Sequence, residues 1–353
     1  MTHLSQPALN IVINNLKPSC HAAWDRYVEG HDNGSFFHYA AWSSIAVEVF
    51  GHSAHYLIAQ KNDDIVGILP LVEQKSMLFG HSLISTPFCA IGGALADSDY
   101  VRRQLENEAL AIGRELGVDY VEIRDQHLCD YTAPWQLHCK HSNFAAPIAE
   151  DNDKILTSIK RKQRAVIRHS LKNDLTFNTN DNIDVCFELY AQSVRNLGTP
   201  VFSKLLFTKL KEYFGERCET AVVYNSTNKP ISSVMNFYYR DTVLPYYAGS
   251  SGLARKYKSH DFMYYQLMCH AKEAGYTNFD FGRSKVDSGS YRFKRNWGFH
   301  EQKLHYRIAL INAHTLPNLS PNNPKYQLLI KVWKKLPLPV SNFIGPFISK
   351  YLG

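Results

Sequence analysis

The sequence predicts a mixed α/β protein, class α+β, made of two tandem copies of one unit followed by a basic amphipathic tail. Three observations carry this. The order hairpin, strand, glycine loop, helix, strand occurs twice. Glu115-Leu-Gly-Val-Asp-Tyr-Val-Glu-Ile123 lies over Glu273-Ala-Gly-Tyr-Thr-Asn-Phe-Asp-Phe281 at an offset of 158 residues. A chain of 353 residues is also long for one hydrophobic core. Two copies of this length are too few and too long for a solenoid. The expected limits are 1–150, 151–315 and 316–353, with the first boundary at the acidic run Glu150-Asp-Asn-Asp153.

In the first copy Trp24 and Tyr27 suit a short helix that ends near Gly30, and Phe36 to Phe50 reads as an aromatic-rich helix. Tyr56–Gln60 and Ile65–Val72 are apolar runs around the polar turn Asn62-Asp-Asp64, the pattern of a hairpin. Leu83–Ser85 is a strand and Pro87–Gly93 a glycine-ended loop. Val101, Leu105, Ala109, Ile112 and Leu116 share one helical face; Gly117 ends that helix and Val118–Ile123 is the next strand. The second copy opens with a basic helix. Ala221–Tyr224 and Ile231–Tyr239 form its hairpin, and Val243–Tyr247 leads to Gly249-Ser-Ser-Gly252. Met263, Leu267, Ala271 and Ala274 mark a helix stopped by Gly275, and Phe279–Phe281 alternates as a half-buried strand.

At 45% hydrophobic and 20% charged residues the chain is an ordinary folded protein. Its seven cysteines are scattered without a C-x-x-C pair, which argues against a disulfide framework or zinc ribbon and for a reducing compartment. The sixteen histidines form no H-E-x-x-H motif, so no metal is expected. Met1–Cys20 has no basic start with an apolar run, and no segment approaches the ~20 apolar residues of a membrane span. The expected location is the cytosol. The net charge of +7 is concentrated: Lys154–Lys172 holds seven basic and no acidic residues, and Lys325–Lys350 five more with none acidic. That pattern implies two anion-facing surfaces.

The richest stretch follows the last strand. Arg283, Lys285, Arg292, Lys294 and Arg295 interleave with Tyr291, Phe293 and Trp297. Cations and rings so mixed suit a pocket for an anionic, partly flat ligand, and the plain alternative is a solvated basic loop with aromatic staples. Arg164, Arg168 and Lys172 are four apart and share a helix face, facing an anion or an acidic neighbour. Gly249-Ser-Ser-Gly252 with Arg255 loosely imitates a phosphate loop ahead of a helix N-terminus, and Asp261 reads as a helix cap. In the tail Tyr326, Leu329, Ile330 and Trp333 are spaced i, i+3, i+4, i+7 among lysines, before Pro337 and Pro339 and an apolar end. Residues 325–353 suit either an anionic membrane surface or packing on their own protein.

These residues resemble a known group. The order of elements looks like the GNAT acyltransferase fold, and its doubling resembles the FemAB peptidoglycan-bridge aminoacyltransferases, in particular the FemAB-related proteins of exosortase/PEP-CTERM systems encoded beside exopolysaccharide genes. The likeness rests on Gly198-Thr-Pro-Val-Phe202, Leu244-Pro-Tyr-Tyr-Ala-Gly249, Asp261-Phe-Met-Tyr264, Phe279-Asp-Phe-Gly-Arg-Ser-Lys285, Phe293-Lys-Arg-Asn-Trp-Gly-Phe299 and Leu304-His-Tyr306. Gly67-Ile-Leu-Pro-Leu71, Pro87-Phe88 and Gly92-Gly93 in the first half fit as well.

The resemblance implies two tandem GNAT-like domains and N-acyl transfer, in which an amine attacks an activated acyl group. Phe293 and Lys294 match the family's aromatic–lysine pair, so Lys294 would stabilise the oxyanion or hold the donor's phosphate, with Tyr291 nearby. Asp280 would act as general base or orient the amine, or else be a strand aspartate bonded to backbone. Arg164, Arg168 and Lys172 match an R-x-x-x-R-x-x-x-K helix that meets acceptor phosphates. Arg283 and Lys285 would meet phosphate, and Tyr247 and Trp297 complete the substrate-binding set. No tightly bound cofactor is implied; the co-substrate donor is an acyl-CoA or an aminoacyl-tRNA. The acceptor is a nucleotide- or lipid-linked sugar or peptide. The sequence has neither the heptad arm of some FemA-type members nor the acetyl-CoA signature Q/R-x-x-G-x-G/A, which leaves both donors open. The rival readings are a non-catalytic module that binds polysaccharide precursors and a nucleic-acid binder.

Overall fold

The computed structural model describes residues 11–179, 182–315 and 324–353, with the side chains of 324–326 left aside. Pro321 and the first part of the expected tail lie outside the described residues. The chain divides into two compact units, one of residues 1–138 and 305–317, the other of 139–304 and 318–353. This differs from the expected limits 1–150, 151–315 and 316–353. The reason is strand pairing: His141–Pro147 bonds to Asn278–Asp280 in the second unit, and His305–Leu310 bonds to Tyr120–Asp125 in the first.

The first unit has two sheets. Val12–Asn15, Leu57–Lys61, Asp64–Leu69 and Leu95–Ala96 make a four-stranded one. The expected hairpin is there, and Asn62 and Asp63 turn it with φ of 50° and 72°. The six-stranded sheet runs Ser53–Ala54, Val72–Ser76, Gly80–Ile84, Tyr120–Asp125, His305–Leu310, Trp135–His138. The helix Asp99–Leu116 starts where Ser98 Oγ accepts the Val101 N–H at 3.3 Å, and Gly117 ends it at φ 67°. Its face Val101, Leu105 and Ala109 packs on Leu57, Leu69, Leu83, Val121 and Ile123. The single helix expected over 36–50 is instead a 3-10 turn, Phe36–His38, and a helix, Ala41–Glu48. Tyr39 leaves the helical region at ψ 142°, and Trp42 Nε1 bonds back to the Phe36 carbonyl.

In the second unit, elements are numbered from its first strand. The strands are β1 (His141–Pro147), β2 (Thr176–Thr179), β3 (Cys218–Tyr224), β4 (Pro230–Tyr239), β5 (Thr242–Ser250), β6 (Asn278–Asp280), β7 (Ser284–Lys285) and β8 (His300–Lys303). The helices are α1 (Asn152–Ser158), α2 (Arg161–Ser170), α3 (Ile183–Leu197), α4 (Lys204–Phe214), α5 (Ala254–Tyr257), α6 (Ser259–Glu273), α7 (Gly289–Trp297), α8 (Pro324–Trp333) and α9 (Leu338–Ser349). The sheet runs β2-β3-β4-β5-β6-β1-β7, with β8 also on β1. Phe144, Val223, Val234, Met263, Leu267, Phe279, Phe281 and Trp297 form its core. Tyr190, Phe207, Phe237 and Tyr247 make a separate ring cluster.

Each unit has one parallel strand pair among its described strands: Gly80–Ile84 with Tyr120–Asp125, and β5 with β6. In each, a glycine-bearing loop and a long helix make the crossover, which parallel neighbours require. The repeat expected from sequence is therefore a repeat of topology. The tail is two helices: α8 falls where the spacing predicts one, and α9 begins in the proline-rich stretch, with Pro337 as its N-cap and Pro339 in its first turn, where no N–H is required.

Candidate functional site

The site begins where β5 and β6 part. They pair only at Thr242–Asn278 and Val243–Phe279. Beyond that the register of β5 against β4 slips by one residue, Met235 facing Tyr247 and Asn236 facing Pro245. Such a slip bends a strand and increases its twist. The last turn of β5 is held close to α3, because a Cβ on Gly249 would run into the Tyr190 backbone. The result is a cavity of about 800 Å³.

Five elements and the loop behind β5 line it. Ser193, Asn196 and Leu197 come from α3; Ala248 and Ser250 from β5; Ser251 and Gly252 from the loop; Ala254 and Arg255 from α5; Lys258 from just before α6 and His260, Asp261 and Tyr264 from its first turns; Gly289, Ser290 and Phe293 from α7. Lys258 precedes α6 at φ 54° with no side-chain cap. The start of α6 and the two cations Arg255 and Lys258 thus all border the cavity, an arrangement that favours an anion. Burial pushes the His260 imidazole down to about 4, so it is neutral at physiological pH. Burial pushes the Asp261 carboxyl up to about 6 against the opposing pull of Gln163, Lys258 and its own backbone N–H.

The expected capping role of Asp261 needs correction. It lies in the first turn of α6, and its carboxylate takes a hydrogen bond from Gln163 Nε2 on α2. It ties two helices together at the cavity's edge.

The residues singled out from sequence divide into several groups. Phe293 lines the cavity, its ring near those of Tyr264 at 5.8 Å and Trp297 at 6.1 Å. Lys294 is beside it on α7 but behind the wall: its Nζ donates to the carbonyls of Gly282 at 2.9 Å and Arg283 at 3.0 Å. Burial lowers its pKa to about 8, with Asp280 pulling the other way and Arg283 adding to the drop. Asp280 accepts from Asn143 Nδ2 at 2.8 Å and from the Gly282 N–H at 2.7 Å, and burial raises its pKa. The structure thus brings Lys294, Asp280 and the Gly282–Arg283 turn together. Lys285 lies in β7, paired with His141 of β1.

Tyr291 points elsewhere: its hydroxyl donates to Glu301 at 2.7 Å and its ring meets Phe144. Trp297 is buried in the core beside Phe281. Tyr247 is buried among Tyr190, Phe202 and Phe207 and does not line the cavity. The basic helix also differs from its expected form. Arg164 is spent on backbone, donating to Thr157 O at 2.7 Å and Ile159 O at 2.9 Å. Arg168 is exposed on α2, and Lys172 falls after the helix end at Ser170. Sequence reasoning passed over Lys258 and His260 as site residues. The signal was present in Gly249-Ser-Ser-Gly252 and the cations after it, but a strand end and a helix start had to be brought together to give it weight.

The first unit holds a buried ionic cluster that the sequence did not signal. Arg307 Nε meets Asp125 Oδ2 at 2.6 Å, its two other nitrogens meet Glu106 at 2.6 and 3.1 Å, and Arg102 Nη1 meets Glu106 at 2.9 Å. Burial works against the Arg307 charge, and the hydrogen bonds and charges of Glu106 and Asp125 outweigh it. Among the described residues no group of three or more His, Cys, Asp or Glu is arranged to hold a metal.

The family described as acetyltransferase (GNAT) domain matches residues 154–295, which run from α1 through most of α7 and include the whole cavity wall of β5, α6 and Phe293. That stretch lies within the second unit and supports a GNAT-like fold for it. Over most of its length the chain is similar to the crystal structure of FemX, at 16% identity, 90% of this chain and 100% of that one, and a TM-score of 0.64. It is also similar to L-PGS from Bacillus licheniformis, at 12% identity, 92% and 99% coverage and 0.56. A tandem GNAT protein from the clavulanic acid biosynthesis pathway matches at 8% identity, 88% and 100% coverage and 0.54. At these identities the likeness speaks for the fold. No curated protein matches the chain in sequence.

Proposed function

We propose that this chain is an N-acyltransferase of the FemAB type, which moves an acyl or aminoacyl group onto an amine of a cell-envelope or exopolysaccharide precursor on the cytosolic side of the membrane. The observation that carries this reading is the cavity at the parting of β5 and β6, whose lining combines Arg255, Lys258 and the N-terminus of α6 with the ring of Phe293. The cations suit the phosphates of the donor, acyl-CoA or aminoacyl-tRNA, and the ring of Phe293 suits an acyl group. Beyond Val243 the β6-facing edge of β5 has no ladder to β6, so its backbone groups are open to an extended ligand arm.

In the reaction the neutral amine attacks the acyl carbonyl. A C–N bond forms, the C–S bond of a thioester or C–O bond of an ester breaks, and the amine's proton leaves to the departing group or to water. Negative charge collects on the carbonyl oxygen between the two steps. Lys294, behind the Phe293 wall, would meet it with its third donor: an ammonium has three N–H donors, and two are committed to Gly282 and Arg283. The two carbonyls fix the ammonium before substrate arrives, which is the condition for electrostatic stabilisation without reorganisation. Asp280, beside Lys294 and held by Asn143, opposes the loss of charge that burial imposes on the lysine. Acceptor phosphates would meet Arg168, Lys172, Arg283 and Lys285.

The test is turnover. Purified protein is given acyl-CoA and aminoacyl-tRNA donors with nucleotide- and lipid-linked amino sugars or peptides, and products are read by mass. Transfer from either donor class supports the reading, and no transfer from any pair, in a protein that binds the acceptors, supports a non-catalytic module instead.

A further inference from the structure

We propose that the two C-terminal helices, α8 and α9, form a docking surface for an anionic lipid bilayer. The inference starts from α9, whose polarity is inverted. Its buried positions, four apart, are Ser341, Gly345 and Ser349. A Cβ on Gly345 would sit 2.8 Å from the Val201 side chain, so the small residues let the helix lie close. The outward positions Val340, Phe343, Ile344 and Phe347 have the i, i+3, i+4, i+7 spacing of an apolar face, with Phe343 75% and Phe347 63% exposed. A helix whose only task was to pack on its own protein would bury the rings and expose the serines. On α8, Leu328, Leu329 and Val332 add to the exposed apolar area. Contiguous exposed patches of this kind mark interaction surfaces.

The tail is nonetheless anchored. Arg195 on α3 donates to the carbonyls of Lys334 and Leu336, each at 3.4 Å, and Gly198 lies against Ile330. The patch is thus presented by helices tied to the second unit. Its charge names the occupant. Lys331, Lys334 and Lys335 are exposed, Lys350 is partly so, and no acidic residue occurs from 324 to 353. A second copy of the chain on the same two-fold patch would set these lysines against themselves. Aromatic and aliphatic side chains among lysines on amphipathic helices are the composition that enters the interface of an anionic bilayer, where each lysine adds attraction.

Docking would also serve the reaction. Leu338, Pro339 and Asn342 at the start of α9 line a cavity together with Ser251 and Gly252, and these last two also line the candidate active cavity. A bilayer under α9 would therefore bring the phosphate-facing loop close to an acceptor carried on a lipid. This last step rests on the proposed acyl transfer; the docking itself does not.

The experiment is co-sedimentation of the full chain with vesicles of phosphatidylglycerol and phosphatidylcholine, and with phosphatidylcholine alone, in the absence of any acyl donor. The expected result is binding to the anionic vesicles that falls with salt. Phe343→Ser with Phe347→Ser, and separately Lys331→Glu with Lys334→Glu and Lys335→Glu, should each weaken it by about tenfold or more while circular dichroism and melting stay unchanged. Wild-type protein that stays in the supernatant, or a double phenylalanine variant that binds like wild type, overturns the proposal. So does a dimer in light scattering that the phenylalanine substitutions dissolve, with no vesicle binding: the occupant is then a second copy. Turnover on a water-soluble amine is measured apart, so loss of docking and loss of acyl transfer are told apart.

Discussion

At the scale of single residues, Lys294 bears the most weight. Removing one fixed donor to an oxyanion costs about 10²–10³ in kcat, and Lys294→Ala should lose that much while binding of the acceptor persists. The pH profile is a sharper check. Burial brings the Lys294 pKa down to about 8, so the charge proposed to meet the oxyanion disappears as pH rises through that value, and kcat should fall on an alkaline limb near pH 8. A lysine at its ordinary value would hold the rate to about pH 10. Asp261 gives an independent test on stability. Burial raises its folded pKa to about 6 from the ordinary 3.8. The unfolded chain therefore loses this proton first, and stability is lost as pH rises between those values, the full penalty being present above about 6. Asp261→Asn keeps an oxygen to accept the Gln163 bond and removes the charge. It should raise the melting temperature at neutral pH and leave it nearly unchanged below about pH 4, as thermal melts at the two pH values would read.

At the scale of elements, the segments with a strong local period were legible and those fixed by distant partners were not. The helix Asp99–Leu116 was readable because Val101, Leu105 and Ala109 repeat on one face and Gly117 supplies the left-handed stop. The hairpins were readable because polar turns separate apolar runs. The aromatic stretch after Phe36 misled because its rings are buried by a 3-10 turn and a short helix, and ring content does not tell these from one long helix. The cation–aromatic stretch after Phe281 held both site and scaffold: Phe293 lines the cavity with Lys294 behind it, while Tyr291 and Trp297, equally aromatic, hold α7 to the sheet. Alternation of rings and charges shows a mixed helix face but not which side is hollow. Arg307 is the plainest case of illegibility, since its partners Glu106 and Asp125 are some two hundred residues away in sequence. Cutting one partner out of a buried charge cluster costs about 3–5 kcal/mol. Arg307→Ala should accordingly destabilise the first unit by about that amount in denaturant melts, and Arg307→Lys should recover only part, because a lysine cannot reproduce the bonds a guanidinium makes to Asp125 and Glu106 at once.

At the scale of the whole molecule, the two copies are not consecutive beads. In each unit the second strand of the parallel pair is followed in the sheet by a strand from elsewhere in the chain: His305–Leu310 beside Tyr120–Asp125, and His141–Pro147 beside Asn278–Asp280. The acidic run at 150–153 looked like a boundary because composition changes there, yet composition reports exposure and not pairing. A fragment ending at residue 150 would therefore contain β1 without β6 and would lack the strand that lies between Tyr120–Asp125 and Trp135–His138. It would also leave Glu106 and Asp125 buried without Arg307. Both losses expose unpaired strand edges and unmatched charge, so the fragment 1–150 should be insoluble or molten. Joining residues 1–138 through a short flexible linker to 305–315 restores the central strand and its arginine, and that chain should show a cooperative melt and dispersed amide resonances. If 1–150 alone folds cooperatively, His305–Leu310 is an accessory to the first unit's sheet and the division of the chain proposed by strand pairing is wrong.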